Sequence, residues 1–139
     1  MNYRIISKFI KDISFEIPDA KTFIMLEKEI SKYNLNFDVK SHPFKDNIIE
    51  VNTILRLSPN QKVQNKMFTE INLTTLVSIE KNFKDKKELE KIILVQIPTE
   101  IYPTLYETFV YLFSQAGIKN IEICKKVDFE KLYSERKNT

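Results

Sequence analysis

Three stretches of the chain alternate apolar and polar residues with a period of two, the signature of strands with one buried face. Leu35, Phe37 and Val39 alternate with Asn36, Asp38 and Lys40. Ile49, Val51, Thr53, Leu55 and Leu57 oppose Glu50, Asn52 and Arg56, and Ile71, Leu73, Thr75, Val77 and Ile79 oppose Glu70, Asn72 and Ser78. A fourth run sets Ile13, Phe15 and Ile17 against Asp12, Ser14 and Glu16 and stops at Pro18, which has no N–H to give a ladder. Turn residues at His42-Pro43, Lys45-Asp46-Asn47 and Ser58-Pro59-Asn60 fall between strands. Short polar connections of this kind predict an antiparallel meander with one polar side.

Beyond Lys81 the period changes. Asp85-Lys86-Lys87-Glu88 has capping-box spacing and predicts a helix from there to about Gln96, ended by Pro98. A second helix is predicted from Pro103, whose fixed φ suits the first helical position, to Gly117. Ala20 to Tyr33 is helix-compatible through Phe23, Leu26, Glu27 and Ile30, and Asp128 to Tyr133 predicts a short amphipathic helix that frays toward Thr139. The Pro103 helix is the informative one. Leu105, Phe109, Leu112 and Ala116 make one stripe, with Tyr106, Val110 and Phe113 beside it. The arc is about 160° wide against roughly 100° for an ordinary surface helix. One side can cover the protomer's own sheet; the other is free to meet a second subunit. Ten Phe and six Tyr point the same way, because apolar patches at strand ends and helix edges mark interaction surfaces. Periodicity alone therefore predicts an α+β domain that self-associates and binds something apolar.

Composition removes most catalytic classes. The 139 residues suit one domain, 1–139, and include one Gly, one Cys and one His. Phosphate-binding loops, dinucleotide fingerprints and nucleophile elbows each need more than one Gly. One Cys and one His make no zinc cluster of N and S ligands. A Cys124–His42 dyad is formally open, although Cys124 closes the apolar run Ile121 to Cys124 and reads as a small buried hydrophobe. No catalytic residue, metal or cofactor is implied. Arg4, Lys8, Lys11, Asp12 and Glu16 interrupt the first eighteen residues, so no signal-peptide core forms there. No window holds the roughly 20 apolar residues of a membrane span. A soluble cytoplasmic protein without membrane insertion is expected. The net charge is +3, from 22 basic and 19 acidic residues. The two signs interleave, as in Lys86-Lys87 followed by Glu88, which argues against the clustered basic face of a nucleic-acid binder.

The run Lys11-Asp12-Ile13-Ser14-Phe15-Glu16-Ile17-Pro18 closely resembles the first-strand signature of the SecB family of bacterial export chaperones, Lys-Asp-[Ile/Leu]-Ser-Phe-Glu-x-Pro. The likeness continues collinearly. Asn47 to Leu57 with Glu50 resembles the family's second long strand, and Phe68-Thr69-Glu70 followed by Val77-Ser78-Ile79 resembles the third. Ile101-Tyr102-Pro103 followed by Glu107 is similar to the opening of the long helix, and Val127 to Tyr133 to the family's terminal Val-Asn-Phe-Asp-x-Leu-[Phe/Tyr].

The resemblance implies a SecB-like α+β protomer, a four-stranded antiparallel sheet with a long helix packed on it, assembled as a homotetramer, a dimer of dimers. It implies an ATP-independent chaperone that holds unfolded precursor proteins and delivers them to the SecA translocase motor. By matching position, Asp12, Glu16 and Glu70 correspond to the acidic face that docks the motor's basic zinc-binding tail, with Phe68 beside it. Phe37, Val39, Phe44, Tyr102 and Phe129 are the candidates for client contact, and Leu105, Tyr106, Phe109, Val110, Leu112 and Phe113 for the subunit interface. Family members are usually acidic, whereas this chain carries +3; they also have a Gly pair where Asn72 and Leu73 stand. Relatives that protect an antitoxin give an alternative role, and a basic nucleic-acid-binding module or an enzyme of unrecognised type are the readings from other classes.

Overall fold

A computed structural model of the chain describes residues 3–60, 62–80, 83, 85–119, 121 and 127–137. Cys124 lies outside them. The elements run β1 (Tyr3–Glu16), α1 (Ala20–Glu29), β2 (Tyr33–Lys45), β3 (Ile48–Pro59), β4 (Phe68–Ile79), α2 (Lys86–Lys91), α3 (Ile97–Gln115) and α4 (Phe129–Lys137). The four strands form one antiparallel sheet in the order β1-β4-β3-β2. The meander β2-β3-β4 is the expected one, and β1 adds to its far edge against β4.

Period two sorts the side chains onto two faces. On β3 and β4 the odd-numbered residues from Val51 to Leu57 and from Thr69 to Ile79 are all buried. They pack beneath α3 together with Leu105, Phe109 and Phe113 in one cluster, which Leu26 of α1 and Met67 close at one end. Phe15 meets Phe113 edge-on with ring centroids 5.1 Å apart, tying β1 to the same layer. The even-numbered residues form the opposite, helix-free face.

Four local expectations are corrected. The first strand begins at Tyr3, well before Ile13. Register slips between Ile5 and Ser7 and between Ile10 and Asp12 leave Ile6 and Lys11 unpaired. Each bulge reverses the side-chain phase, so no single alternation runs through the strand. His42 and Pro43 belong to β2 rather than to a turn; β2 is an edge strand, where a missing N–H can face outward. The turn is the pair Asp46-Asn47, with Asp46 at φ +52°, a conformation that Asp tolerates. Ala20 to Tyr33 is split: α1 ends at Glu29, a 3₁₀ turn follows, and Tyr33 already opens β2.

The fourth correction concerns prolines. Neither Pro98 nor Pro103 interrupts the helical run, which passes from α2 through a π-helical turn at Ile92–Gln96 into α3. The wide turn bonds Ile97 N–H to the Ile92 carbonyl. It therefore relieves the α-geometry contact in which the Pro98 ring would meet a carbonyl four residues back. Pro103 lies inside α3; burial of Ile101, Tyr102 and Leu105 around it outweighs the ~3 kcal/mol that an interior proline costs. The helix ends where expected. Gly117 has φ +95°, and Ile118 N–H closes back onto the Phe113 carbonyl at 2.9 Å, the bond that satisfies an orphan carbonyl at a helix end.

Candidate client groove and docking face

β2 is a sheet edge, and a helical wall stands alongside it. Phe37 and Val39 point from its covered face toward Leu89, Ile93 and Leu94 of α2 and the π-helical turn, and toward Phe129, Leu132 and Tyr133 of α4. Between strand and wall lie two cavities, of about 370 Å³ and 210 Å³, that share Val39 and Leu94. Together they make one trough along the strand. Its floor is aromatic: Phe37 packs edge-on against Tyr102 at 5.3 Å and against Phe129 at 5.6 Å, and Tyr102 meets Phe129 at 5.8 Å. Edge-to-face rings at such spacing stabilise one another beyond their buried area. The rims are polar, with Lys86 and Glu90 on one side and Asp38 on the other. Lys91 of α2 pairs with Glu130 of α4 at 3.5 Å, joining the two parts of the wall.

The five residues named for client contact divide accordingly. Phe37 and Val39 line the trough and remain half-exposed. Tyr102 and Phe129, expected at exposed edges, are each 4% exposed: Phe129, at the start of α4, forms part of the trough floor, and Tyr102 is buried behind it and Phe37. Phe44 is 55% exposed at the hairpin end, with the Lys45 ammonium 5.5 Å from its ring centre. Seven residues of strand, roughly 23 Å, separate it from Phe37. Leu89, Ile93, Leu94, Leu132 and Tyr133 were not singled out from the sequence. Their helical spacing was legible, but which helix face would meet β2 was not.

The helix-free face carries the other group. Asp12, Ser14 and Glu16 of β1 lie opposite Asn72, Glu70 and Phe68 of β4. Glu70 is thus a diagonal neighbour of both Asp12 and Glu16, at about 7–8 Å. Phe68 is 51% exposed beside them. The carboxylates do converge, yet the face is not simply acidic. Arg56, the register partner of Glu70 on β3, donates to Glu70 Oε1 from Nε at 2.7 Å and also from its terminal nitrogen. Lys11, turned to this face by its bulge, sits 3.7 Å from Glu50. Glu50 in turn accepts from Asn52 at 2.9 Å, and Asn52 accepts from Thr74 at 2.6 Å. Among the described residues, Asp12 and Glu16 make no ion pair.

On α3, the wide arc resolves into two parts. Leu105, Phe109 and Phe113 are spent in the protomer's own core, whereas Tyr106, Val110 and Leu112 are half-buried along its flank. Among the described residues no three His, Cys, Asp or Glu side chains come together to hold a metal, and no helix is long and apolar enough to cross a membrane. Burial, and then the Glu100 carboxylate, push the Tyr3 hydroxyl up; both line a further cavity of about 590 Å³ on the far side of Phe129.

Comparison with known proteins gives the chain's family and fold. The family model described as preprotein translocase subunit SecB matches residues 1–139. A Pelagibacter ubique (strain HTCC1062) relative bearing the SecB name is 47% identical over 99% of this chain and 98% of its own length. The protein-export protein SecB of Anaplasma phagocytophilum (strain HZ) is 24% identical over 96% of this chain and 91% of its own. In fold, the chain is similar to a Mycobacterium tuberculosis SecB-like chaperone solved with a ChAD peptide from an antitoxin, with a TM-score of 0.67, 12% identity and coverage of 88% and 86% of the two chains.

Proposed function

The chain belongs to the SecB family of protein-export chaperones, and from that premise we propose that the trough beside β2 holds apolar segments of unfolded precursor proteins. The observation that carries this reading is the trough itself, an open aromatic-floored channel along a free strand edge. Binding many different sequences needs apolar area and available backbone rather than side-chain-specific pockets. A protein that binds the unfolded chain shifts its folding equilibrium by mass action, with no nucleotide required. Asp12, Glu16, Glu70 and Phe68 then form the place where the SecA motor's basic tail docks, on a face separate from the client. Complementary charge there favours encounter rate and orientation. Tyr106, Val110 and Leu112 are the α3 positions left for contact between protomers in a dimer of dimers working in the cytoplasm.

Suppression of aggregation by an unfolded precursor, together with light scattering of the same mixture, tests the reading. The expected result is a tetramer that takes up the precursor and keeps it soluble. Replacing Phe37 by Asp is expected to abolish that uptake while leaving the tetramer intact. A monomer that ignores the precursor would sink the proposal.

A further inference from the structure

We propose that Arg56 is a built-in competitor for Glu70, which a cationic partner must displace before it can use the docking face. The inference rests on the docking role proposed above and adds its regulation. Arg56 and Glu70 are directly opposed across β3 and β4, and both guanidinium donors converge on one oxygen, Oε1. Arg56 therefore occupies the carboxylate as an incoming arginine would. Glu70 Oε2 is not engaged by Arg56. The pair borders a cavity of about 340 Å³ that Phe68, Ser14 and Pro59 also line. Swinging Arg56 outward would leave a carboxylate and an exposed aromatic ring side by side, a setting suited to a partner's guanidinium or ammonium. Asp12 and Glu16, diagonal to Glu70, stay available to hold neighbouring cations while the exchange takes place.

The two side chains are 52% and 35% exposed. An ion pair so placed is weak enough to be exchanged, and its loss corresponds to roughly a fivefold change in affinity at most. Arg56 thus sets a threshold: a partner with one stray positive charge gains little, while a tail with several gains the whole face.

The probe is the zinc-loaded C-terminal tail peptide of SecA, fluorescently labelled, and the measurement is its affinity for the full tetramer at low and moderate salt. Arg56→Gln is expected to tighten binding about threefold to fivefold, Glu70→Gln to weaken it, and the double variant to show no gain over Glu70→Gln. Arg4→Gln removes a positive charge from the same face but lies opposite Ser78. That is eight residues along β4 from Glu70, roughly 27 Å, and beyond the Debye length of about 10 Å at 0.1 M salt. At 0.1 M salt it is expected to change affinity less than twofold. If Arg56→Gln leaves affinity unchanged or lowers it while Glu70→Gln weakens binding, the competitor role is wrong and the docking role stands. Equal gains from Arg4→Gln and Arg56→Gln would also overturn it, since a general field would then suffice. If Glu70→Gln and the Asp12→Asn/Glu16→Gln variant both bind as tightly as the parent, the docking face itself is wrong and the inference goes with it.

Discussion

The two faces of the sheet are made by the same four strands and use their alternate residues in opposite ways. Beneath α3, Val51, Ile71, Leu73 and Val77 are nearly inaccessible and interlock with Leu105, Phe109 and Phe113. On the other side, Lys11, Glu50, Arg56 and Glu70 pair across strands at or near the surface. The first face fixes the protomer, because every methylene there is enclosed and its removal leaves a void. The exposed ion pairs of the second contribute little to stability and can be rewritten for recognition, although Asn52, Ile54 and Thr74 on that face are buried. The trough beside β2 lies between these extremes, a place where the core runs out before the strand does.

That contrast can be broken most decisively at Phe113. Phe113→Ala removes a fully buried ring packed against Phe15 and Phe109 and is expected to cost about 3–5 kcal/mol in denaturant unfolding. A loss below about 1 kcal/mol would mean that the helix does not seal this face. Tyr33→Phe comes next. The Tyr33 hydroxyl accepts from Met67 N–H at 3.0 Å in the buried end of the sheet, so its deletion strands a donor and is expected to cost about 1–3 kcal/mol. Burial also holds this hydroxyl above its ordinary value. Its contribution is then present below the unfolded pKa of about 10 and lost as pH rises past it. A thermal midpoint that falls above pH 10 in the parent, and falls less in Tyr33→Phe, is the expected pattern.

Smaller effects sharpen the same comparison. Gly117→Ala places a Cβ at φ +95°, 3.3 Å from Phe23, and is expected to destabilise by about 1–2 kcal/mol through strain at the end of α3. Asp12→Asn with Glu16→Gln, on the helix-free face, is expected to shift stability by less than about 0.5 kcal/mol. The same variant should weaken binding of the SecA tail peptide. A stability loss as large as that of Gly117→Ala would show that the polar face is structural after all.

Much of this was legible in the residues. Alternation over Ile49–Leu57 and Ile71–Ile79, interrupted only at Ile54 and Leu76, assigned both faces of the central strands, since one face of a half-buried sheet must be apolar. Gly117 marked the end of α3 because it is suited to the left-handed conformation found there. β1 was legible only in its last third, since two bulges broke its phase. Pro98 misled for a related reason: a π-helical turn, invisible to propensity, absorbed it. At the candidate site, the resemblance grouped Asp12, Glu16, Phe68 and Glu70, and the pairing of β1 with β4 is what brings them to one face. Arg56 was visible as a polar residue but not as the partner of Glu70.

Local pattern thus determined which side of the unbulged strands and of α3 is apolar, because periods of 2 and 3.6 are properties of the backbone alone. What covers each apolar side is a long-range matter. Whether Phe129 and Tyr102 are exposed or buried depends on α4 returning to β2 from ninety residues away. Whether Glu70 is free or already held depends on a strand pairing that sets Arg56 directly across from it. Only the tertiary structure decides such cases, because packing and ion pairing depend on distance in space, and that distance is set by the whole chain at once.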